Sequence, residues 1–157
     1  MNYQPIEQYK RAWIFKHKDM LVSDEDLTQI KPLTEARAEQ VWSQQISKQN
    51  DHPELFGEGD WANRNQTWLE TDNWQKLWES DDPALPAILA EHLQWDDATV
   101  VWFCYESVHV LETTWDVFRR NWKNFLFFDD GPLLIGRKRK QVVQFHQTGN
   151  YRIGNRK

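Results

Sequence analysis

The clearest pattern along the chain is an uninterrupted apolar run that begins its last third. Residues 99–106, Thr-Val-Val-Trp-Phe-Cys-Tyr-Glu, are apolar at every interior position. A strand with one face in water would alternate between apolar and polar side chains, so this run predicts a strand that is covered on both faces. We therefore place residues 99–106 in the middle of a sheet.

After this strand, the apolar spacing changes to that of a helix. A helix is predicted for residues 114–126, and its apolar stripe consists of Trp115, Phe118, Trp122, Phe125 and Leu126. The opposite face is charged, as is typical of a helix that covers a core on one side. We expect this stripe to pack against the strand of residues 99–106.

Short apolar segments separated by turn residues complete the chain. Residues 132–136, 141–146 and 151–154 are predicted strands, and glycine-containing or charged turns separate them. Three consecutive strands with short connections form a β-meander.

Helical patterns dominate the earlier part of the chain. Helices are predicted near residues 34–48, 72–80 and 83–94, the last beginning at an Asp-Pro pair that suits a helix start. Residues 9–17 are rich in aromatic and β-branched side chains, which predicts a strand at one edge of the sheet. Helices mixed with mostly antiparallel strands predict a single α+β domain over residues 1–157, with about four packed helices.

Aromatic side chains supply the material for the core. The 157 residues include ten Trp, and 14% of the chain is aromatic. Each buried Trp or Phe removes about 150–250 Å² from water, so one domain of this length can bury a substantial core.

Charge is distributed unevenly along the sequence. The net charge is −5, yet residues 1–96 hold 9 basic and 18 acidic side chains, whereas residues 97–157 hold 10 basic and 6 acidic ones. One interpretation is that the two parts neutralise each other within the fold. The alternative is a basic face for an anionic partner.

The single cysteine and the hydropathy bear on location. Cys104 has no second cysteine to pair with, and it lies in an apolar run where a thiol is buried and inert. The first seven residues lack the apolar core of a signal peptide, and no run approaches the roughly 18 apolar residues of a membrane helix. We expect a cytoplasmic protein with no membrane contact.

Three segments carry a resemblance to known families. They are the run from Trp115 to Gly136, Trp-Asp-Val-Phe-Arg-Arg-Asn-Trp-Lys-Asn-Phe-Leu-Phe-Phe-Asp-Asp-Gly-Pro-Leu-Leu-Ile-Gly, the Val-Val-Gln-Phe of residues 142–145, and the Gly-Asn-Tyr-Arg-Ile-Gly of residues 149–154. Together they resemble a family of small uncharacterised cytosolic proteins of gammaproteobacteria, a domain of unknown function that brings no functional residue with it. Residues 115–154 are also similar to bacterial toxin-immunity proteins.

The candidate binding residues are concentrated in residues 61–78. Trp61, Arg64, Trp68 and Trp74 are interleaved with amide side chains in and beside the longest irregular stretch of the chain. Aromatic faces with hydrogen-bonding groups are typical of protein interfaces and sugar sites. We expect at least one of Trp61 and Trp68 to be substantially exposed and to line a concave groove. The alternative is that these rings cover a small core beneath a loop.

A second candidate is a run of four cations between two predicted strands. Arg137, Lys138, Arg139 and Lys140 occupy a hairpin connection, from which side chains project into solvent. Such a run could contact phosphates of a nucleic acid. The alternative is an ordinary solvated turn.

Candidate chemistry around the interior strand is weak. Cys104, Glu106, His109 and Glu112 include residue types found in thiol and metal sites. A zinc site needs a second cysteine or a spaced histidine pair, and neither is present. We therefore expect no metal, cofactor or catalytic residue here.

The sequence predicts a non-catalytic interaction protein of regulatory, adaptor or immunity-like type. Its expected partner is another protein or a second copy of the chain. The alternatives are a nucleic-acid-associated protein that uses the basic C-terminal region and a small enzyme whose site residues come from distant segments.

Overall fold

The computed structural model describes residues 1–156, whose strands join one seven-stranded sheet. The strands are β1 (Lys31–Pro32), β2 (Trp68–Asn73), β3 (Val100–Glu106), β4 (His109–Thr114), β5 (Leu133–Gly136), β6 (Gln141–Phe145) and β7 (Asn150–Asn155). The helices are α1 (Asp24–Thr28), α2 (Glu35–Gln45), α3 (Gln75–Trp78), α4 (Ala87–His92) and α5 (Trp115–Phe125). The sheet order is β1-β4-β3-β5-β6-β7-β2, and every pairing is antiparallel. The predicted α+β class is confirmed.

The interior strand and the meander lie where the apolar pattern predicts them. β3 pairs with β4 on one side and β5 on the other, and its five central side chains are buried. β5, β6 and β7 follow one another in the sheet as a meander. Both predictions are confirmed.

One face of the sheet is covered by α5. Trp115, Phe118, Trp122 and Phe125 are all buried, and the Phe118 ring stacks on Phe103 of β3 with centroids 5.5 Å apart. α4, α3 and the N-terminal segment extend this layer. The predicted apolar stripe therefore packs as expected.

The second face is covered by α2 and the loop that follows it. Thr34 caps α2 by accepting the N–H of Arg37, and the helix presents Trp42 to a core that includes Trp102 and Cys104. The loop between α2 and β2 completes this layer, so both faces of β3 are covered and shielded from solvent.

The strand predicted for residues 9–17 is wrong. Residues Ile6–Gln8 and Ala12–Phe15 form 3₁₀ turns instead. The side-chain amide of Asn124 on α5 donates to the carbonyl of Ile14 at 2.8 Å, which occupies an acceptor that a sheet ladder would use. Packing beneath α5 thus overrides the local strand propensity.

The helix predicted for residues 72–80 is wrong over its first turn. Asp72 and Asn73 belong to β2, and the Asn73 side chain accepts the N–H of Lys76, so α3 begins only after the strand. β4, which forms a hairpin with β3, was not predicted at all.

The helix predicted for residues 83–94 starts later than its Asp82-Pro83 pair predicts. α4 begins at Ala87, directly after a second proline, Pro86. A residue that precedes proline is pushed out of the helical region, so Leu85 cannot continue a helix that started at Pro83.

Candidate functional site

Two tryptophans of the predicted site, Trp61 and Trp68, form a tilted pair on the second face of the sheet. The ring centroids of Trp61 and Trp68 lie 6.3 Å apart, and both rings are half-buried. Their indole N–H groups donate to the carbonyls of Gln45 and Ala62 at 3.0 and 2.9 Å. Trp61 also lines an open cleft of about 440 Å³ beside residues 43–49. The polar ends of both rings are therefore engaged internally, and only parts of the rings reach solvent.

A buried carboxylate organises the loop in front of this pair. Asp60 accepts hydrogen bonds from the Ser47 hydroxyl at 2.6 Å, the Asn50 amide at 2.7 Å and the Gly57 N–H at 3.0 Å. Burial by itself raises the pKa of Asp60, but these donors favour the charged form more strongly and the pKa is lowered overall. Asp60 thus holds the loop in place, which positions Trp61.

A cation from the sheet fixes the second ring. The Arg152 guanidinium lies 4.0 Å from the centroid of the Trp68 ring and donates to Gln144 at 2.7 and 3.0 Å. Cation–π contacts of this kind contribute about 0.5–2 kcal/mol. Because Arg152 is itself half-buried, its primary role is to hold the loop on β6 and β7.

Trp74 is not brought together with the other predicted residues. It is only 3% exposed and belongs to the core on the first face, where its indole N–H donates to the His146 carbonyl. Arg64, by contrast, is exposed, and it lies between Trp61 and Trp68 in the sequence. The surface that remains from the predicted set consists of Trp61, Arg64 and Trp68.

This surface continues into an open sheet edge. β2 pairs with β7 on one side and is the last strand of the sheet. The register shifts between Trp68 and Glu70, which marks a bulge at Leu69, and the Leu69 side chain is 61% exposed. Leu69 is not among the predicted site residues, because neither the bulge nor the strand's position at the edge follows from local spacing.

The hydrogen-bond register shows which backbone groups of β2 face outward. The N–H of Trp74 donates to the Gly149 carbonyl at 2.9 Å, at the end of the β2–β7 ladder. Because successive residues of an antiparallel strand alternate between inward and outward backbone groups, Glu70 and Asp72 also face β7. Thr71 and Asn73 therefore direct their N–H and C=O groups away from the sheet.

The basic connection is a tight turn from which three cations project. Arg137, Lys138 and Lys140 are exposed, whereas Arg139 is half-buried and donates to the Thr99 hydroxyl at 3.3 Å. The guanidinium of Arg156 donates to the Arg139 carbonyl at 2.6 Å. Three of the four cations of the predicted run are therefore exposed to solvent.

The residues near β3 that suggested thiol or metal chemistry do not converge. Cys104 faces the second core, whereas His109, beside the Tyr9 ring, faces the first. Glu106 pairs with Arg11 at 3.6 Å, and Glu112 accepts hydrogen bonds from Tyr3 and Trp102. Each group has a separate structural partner or environment.

We expect the Cys104 thiol to react slowly in the folded protein. The side chain is fully buried, and burial raises the pKa of the thiol well above its ordinary value because the thiolate would be desolvated. Labelling with a chromogenic disulfide reagent at neutral pH should be slow for native protein and immediate in denaturant. Rapid labelling of native protein would contradict the packing of β3.

Among the described residues, one cluster brings together three side chains of the types that bind metal ions. The ligand atoms of His52, Glu54 and Asp130 lie within 4.8 Å of each other. However, His52 Nδ1 accepts the N–H of Glu54 at 3.1 Å, so the neutral ring carries its proton on Nε2. That ring then has no free lone pair for an ion, and the arrangement does not favour a metal.

No helix in residues 1–156 has the length and apolarity needed to cross a bilayer.

Comparison with known proteins identifies the family. No curated protein and no solved structure matches the chain. The gammaproteobacterial source and the likeness to toxin-immunity proteins remain predictions. Residues 3–154 match the model of the family described as "Protein of unknown function (DUF2947)", and the chain belongs to that family.

Proposed function

We propose that this chain is a non-catalytic protein-binding protein that pairs a strand of its partner with the outer edge of β2. The observation that carries the proposal is the open edge itself, where Thr71 and Asn73 direct backbone groups away from β7. Unpaired edge groups form a template for another strand, and natural proteins either protect such edges or use them for recognition.

Side chains beside the edge supply contact area. Leu69 is exposed at the bulge, Trp68 is half-buried next to it, and Arg64 is exposed just before the strand. Tryptophan and arginine are the residue types most enriched at the centres of protein interfaces. Backbone pairing would provide affinity, and these side chains would provide selectivity.

The charge of the edge indicates the partner's chemistry. β2 carries two acidic residues, Glu70 and Asp72, and no basic one. A partner strand with Lys or Arg opposite them would gain favourable cross-strand pairs. Two copies of β2 paired antiparallel would instead bring acidic strands together, so the expected partner is a basic extended segment of another protein. An adaptor, a regulator or an immunity-like inhibitor acting in the cytoplasm fits this mode of binding.

The test replaces an outward-facing N–H. Thr71→Pro removes one outward donor while leaving the ladder to β7 intact, since proline is tolerated in edge strands where the N–H faces solvent. Thr71→Val is the matched control, because it keeps the N–H and favours a strand. Tagged chains would be used to capture proteins from native cytosol, followed by mass spectrometry, with urea unfolding to verify that both variants are folded.

We expect one protein to be recovered by wild type and Thr71→Val, and to be at least about tenfold depleted with Thr71→Pro. Tenfold corresponds to about 1.4 kcal/mol, close to the net contribution of one backbone hydrogen bond. A partner that Thr71→Pro retains at the wild-type level would exclude recognition through this edge.

The basic connection is the alternative surface, and we expect little binding of nucleic acid there. The chain is acidic overall, with a net charge of −5, and would repel an extended polyanion. Fluorescence anisotropy with labelled DNA and RNA at about 150 mM salt should show no micromolar binding. Micromolar binding that weakens steeply with salt, and that disappears when residues 137–140 are changed to Gln, would favour the nucleic-acid alternative.

A further inference from the structure

A separate surface is built around Trp13, which the predicted site did not include. Trp13 is 51% exposed and is the one Trp among the exposed large apolar side chains of residues 1–156, whereas its neighbours Ala12, Ile14 and Phe15 are all buried. The 3₁₀ turn directs this single ring outward. A single exposed apolar residue is ordinary, but a contiguous exposed apolar patch marks an interaction site, so the surroundings of Trp13 are decisive.

The polar end of Trp13 is also free. Eight of the ten indole N–H groups donate to protein acceptors, and the two that do not, within residues 1–156, are Trp13 and the buried Trp115. Trp13 therefore offers both a ring edge and an unused donor, which is the combination that makes tryptophan effective at interfaces.

Other aromatic rings extend this surface. The Trp13 centroid lies 5.5 Å from that of Phe127 and 5.6 Å from that of Phe128, and His17 stacks on Phe127 at 5.3 Å. His17, Phe127 and Phe128 are only half-buried. We call Trp13, His17, Phe127 and Phe128 the Trp13 patch.

The patch is held rigidly by the core beneath it. The Asn124 side chain donates to the carbonyls of Ile14 and Met20, each at 2.8 Å, and Phe15 packs on Phe125 at 5.0 Å. A surface that is already ordered loses little entropy when a ligand binds. These contacts explain how an exposed ring can be kept in a fixed position.

Lys16 and Lys18 flank His17 of the patch in the sequence, whereas Lys10 lines a separate cleft with Tyr9 and His109. Residues 10–18 contain three exposed lysines, Lys10, Lys16 and Lys18, and no acidic residue. None of the three lysines joins an ion pair within residues 1–156, and the Arg11 guanidinium lies 4.4 Å from the centroid of the Phe128 ring. The acidic groups next to these residues are Glu106, which pairs with Arg11 at 3.6 Å, Asp19, which follows Lys18, and Asp129, which follows Phe128.

We propose that the Trp13 patch binds a short acidic segment of a partner protein, with an apolar side chain of that segment against Trp13 and its carboxylates on Lys16 and Lys18. The patch shares no residue with the edge of β2 and has the opposite charge preference, so this inference stands independently of the proposed function.

A short peptide fits better than an extended polyanion. Successive bases of a single strand stack on several aromatic faces, whereas Trp13 is tilted by 48° and 62° against Phe127 and Phe128, and the one stacked pair of the patch is His17 on Phe127. The chain outside residues 10–18 is more acidic than the net charge of −5, and a membrane or nucleic acid would meet that charge as well. A short segment at the patch interacts mainly with Lys16 and Lys18, because charges beyond about 8 Å are largely screened at physiological salt.

The test selects peptides from a displayed library of random short sequences on the wild-type chain. The same selection on Trp13→Ala identifies peptides that need the ring, and Leu55→Ala is the matched control at an exposed apolar residue outside both the patch and the edge of β2. We expect enriched peptides to combine several Asp or Glu with one Phe, Leu or Trp. Synthetic copies should bind Trp13→Ala at least about tenfold more weakly than wild type, and Leu55→Ala as well as wild type.

Lys16→Gln with Lys18→Gln should weaken the same peptides, and added salt should weaken wild-type binding. Enriched peptides without an acidic excess, or with equal binding to Trp13→Ala, would overturn the proposal. So would Trp13-dependent binding to single-stranded DNA or to phosphatidylserine-containing vesicles, either of which would assign the patch to a polyanion. Urea unfolding of Trp13→Ala verifies that the variant is folded.

Discussion

Replacing Trp122 with Ala is expected to lower the free energy of unfolding by about 3–5 kcal/mol, the range for truncating a large core aromatic residue. The ring is 0% exposed, and it lies on the buried stripe of α5. Its indole N–H donates to the Pro83 carbonyl at 3.1 Å, which ties the segment before α4 to α5. The substitution therefore creates a cavity and leaves a carbonyl without its donor.

Urea unfolding followed by circular dichroism measures this loss. Trp13→Ala is the matched control, because it removes the same atoms from a ring that is half exposed, and we expect it to cost below about 1 kcal/mol. A loss below about 1 kcal/mol for Trp122→Ala would show that α5 does not pack on the sheet as described.

The second large effect is expected for Gly154→Ala, where β7 meets the loop that carries the candidate surface. A Cβ at this position would overlap the carbonyl oxygen of Thr67 and lie 2.9 Å from Cε3 of Trp68. The backbone of the loop would have to move, and overpacking of this kind costs about 1–3 kcal/mol. Because Trp68 precedes the bulge, the start of β2 should shift as well.

Gly57→Ala provides the control for this substitution. A Cβ at Gly57 meets nothing within 4 Å, so we expect a change within about 0.5 kcal/mol. Equal stabilities of the two variants would contradict the close approach of the loop to β7. A loss of stability for Gly154→Ala, together with a shifted Trp68 indole N–H resonance, is the expected outcome.

The elements that could be predicted from the sequence are those in which local spacing and tertiary packing agree. Residues 99–106 are apolar throughout because both faces of β3 are covered, and the stripe of α5 follows the helical period. The strands of the meander are separated by turn residues only a few positions apart, so their pairing is local as well.

The failures have non-local causes. Residues 9–17 have strand-forming side chains, but Asn124, more than a hundred residues away, engages their backbone. Residues 72 and 73 extend a strand because β7 lies beside them, and no local pattern reports a partner 77 residues away. β4 was missed because only its last residue, Thr114, had been assigned to an element, the helix predicted for residues 114–126.

The candidate site could be predicted only in part for the same reason. The spacing of Trp61 and Trp68 located a loop rich in aromatic residues, but Arg152, Gln45 and Ala62 determine how the two rings lie. Trp74 follows β2 onto the other face of the sheet. An open edge is a property of the whole strand order and cannot be derived from the sequence of β2 alone.

Amide hydrogen exchange in β2 tests the central claim, that the outer edge of this strand is open and is used to bind a partner strand. In the free chain the amides of Glu70 and Asp72 should be protected by β7, whereas those of Thr71 and Asn73 should exchange rapidly. In complex with the captured partner, Thr71 and Asn73 should become protected as well. Slow exchange at Thr71 in the free chain, or no change at Thr71 and Asn73 in the complex, would contradict the account.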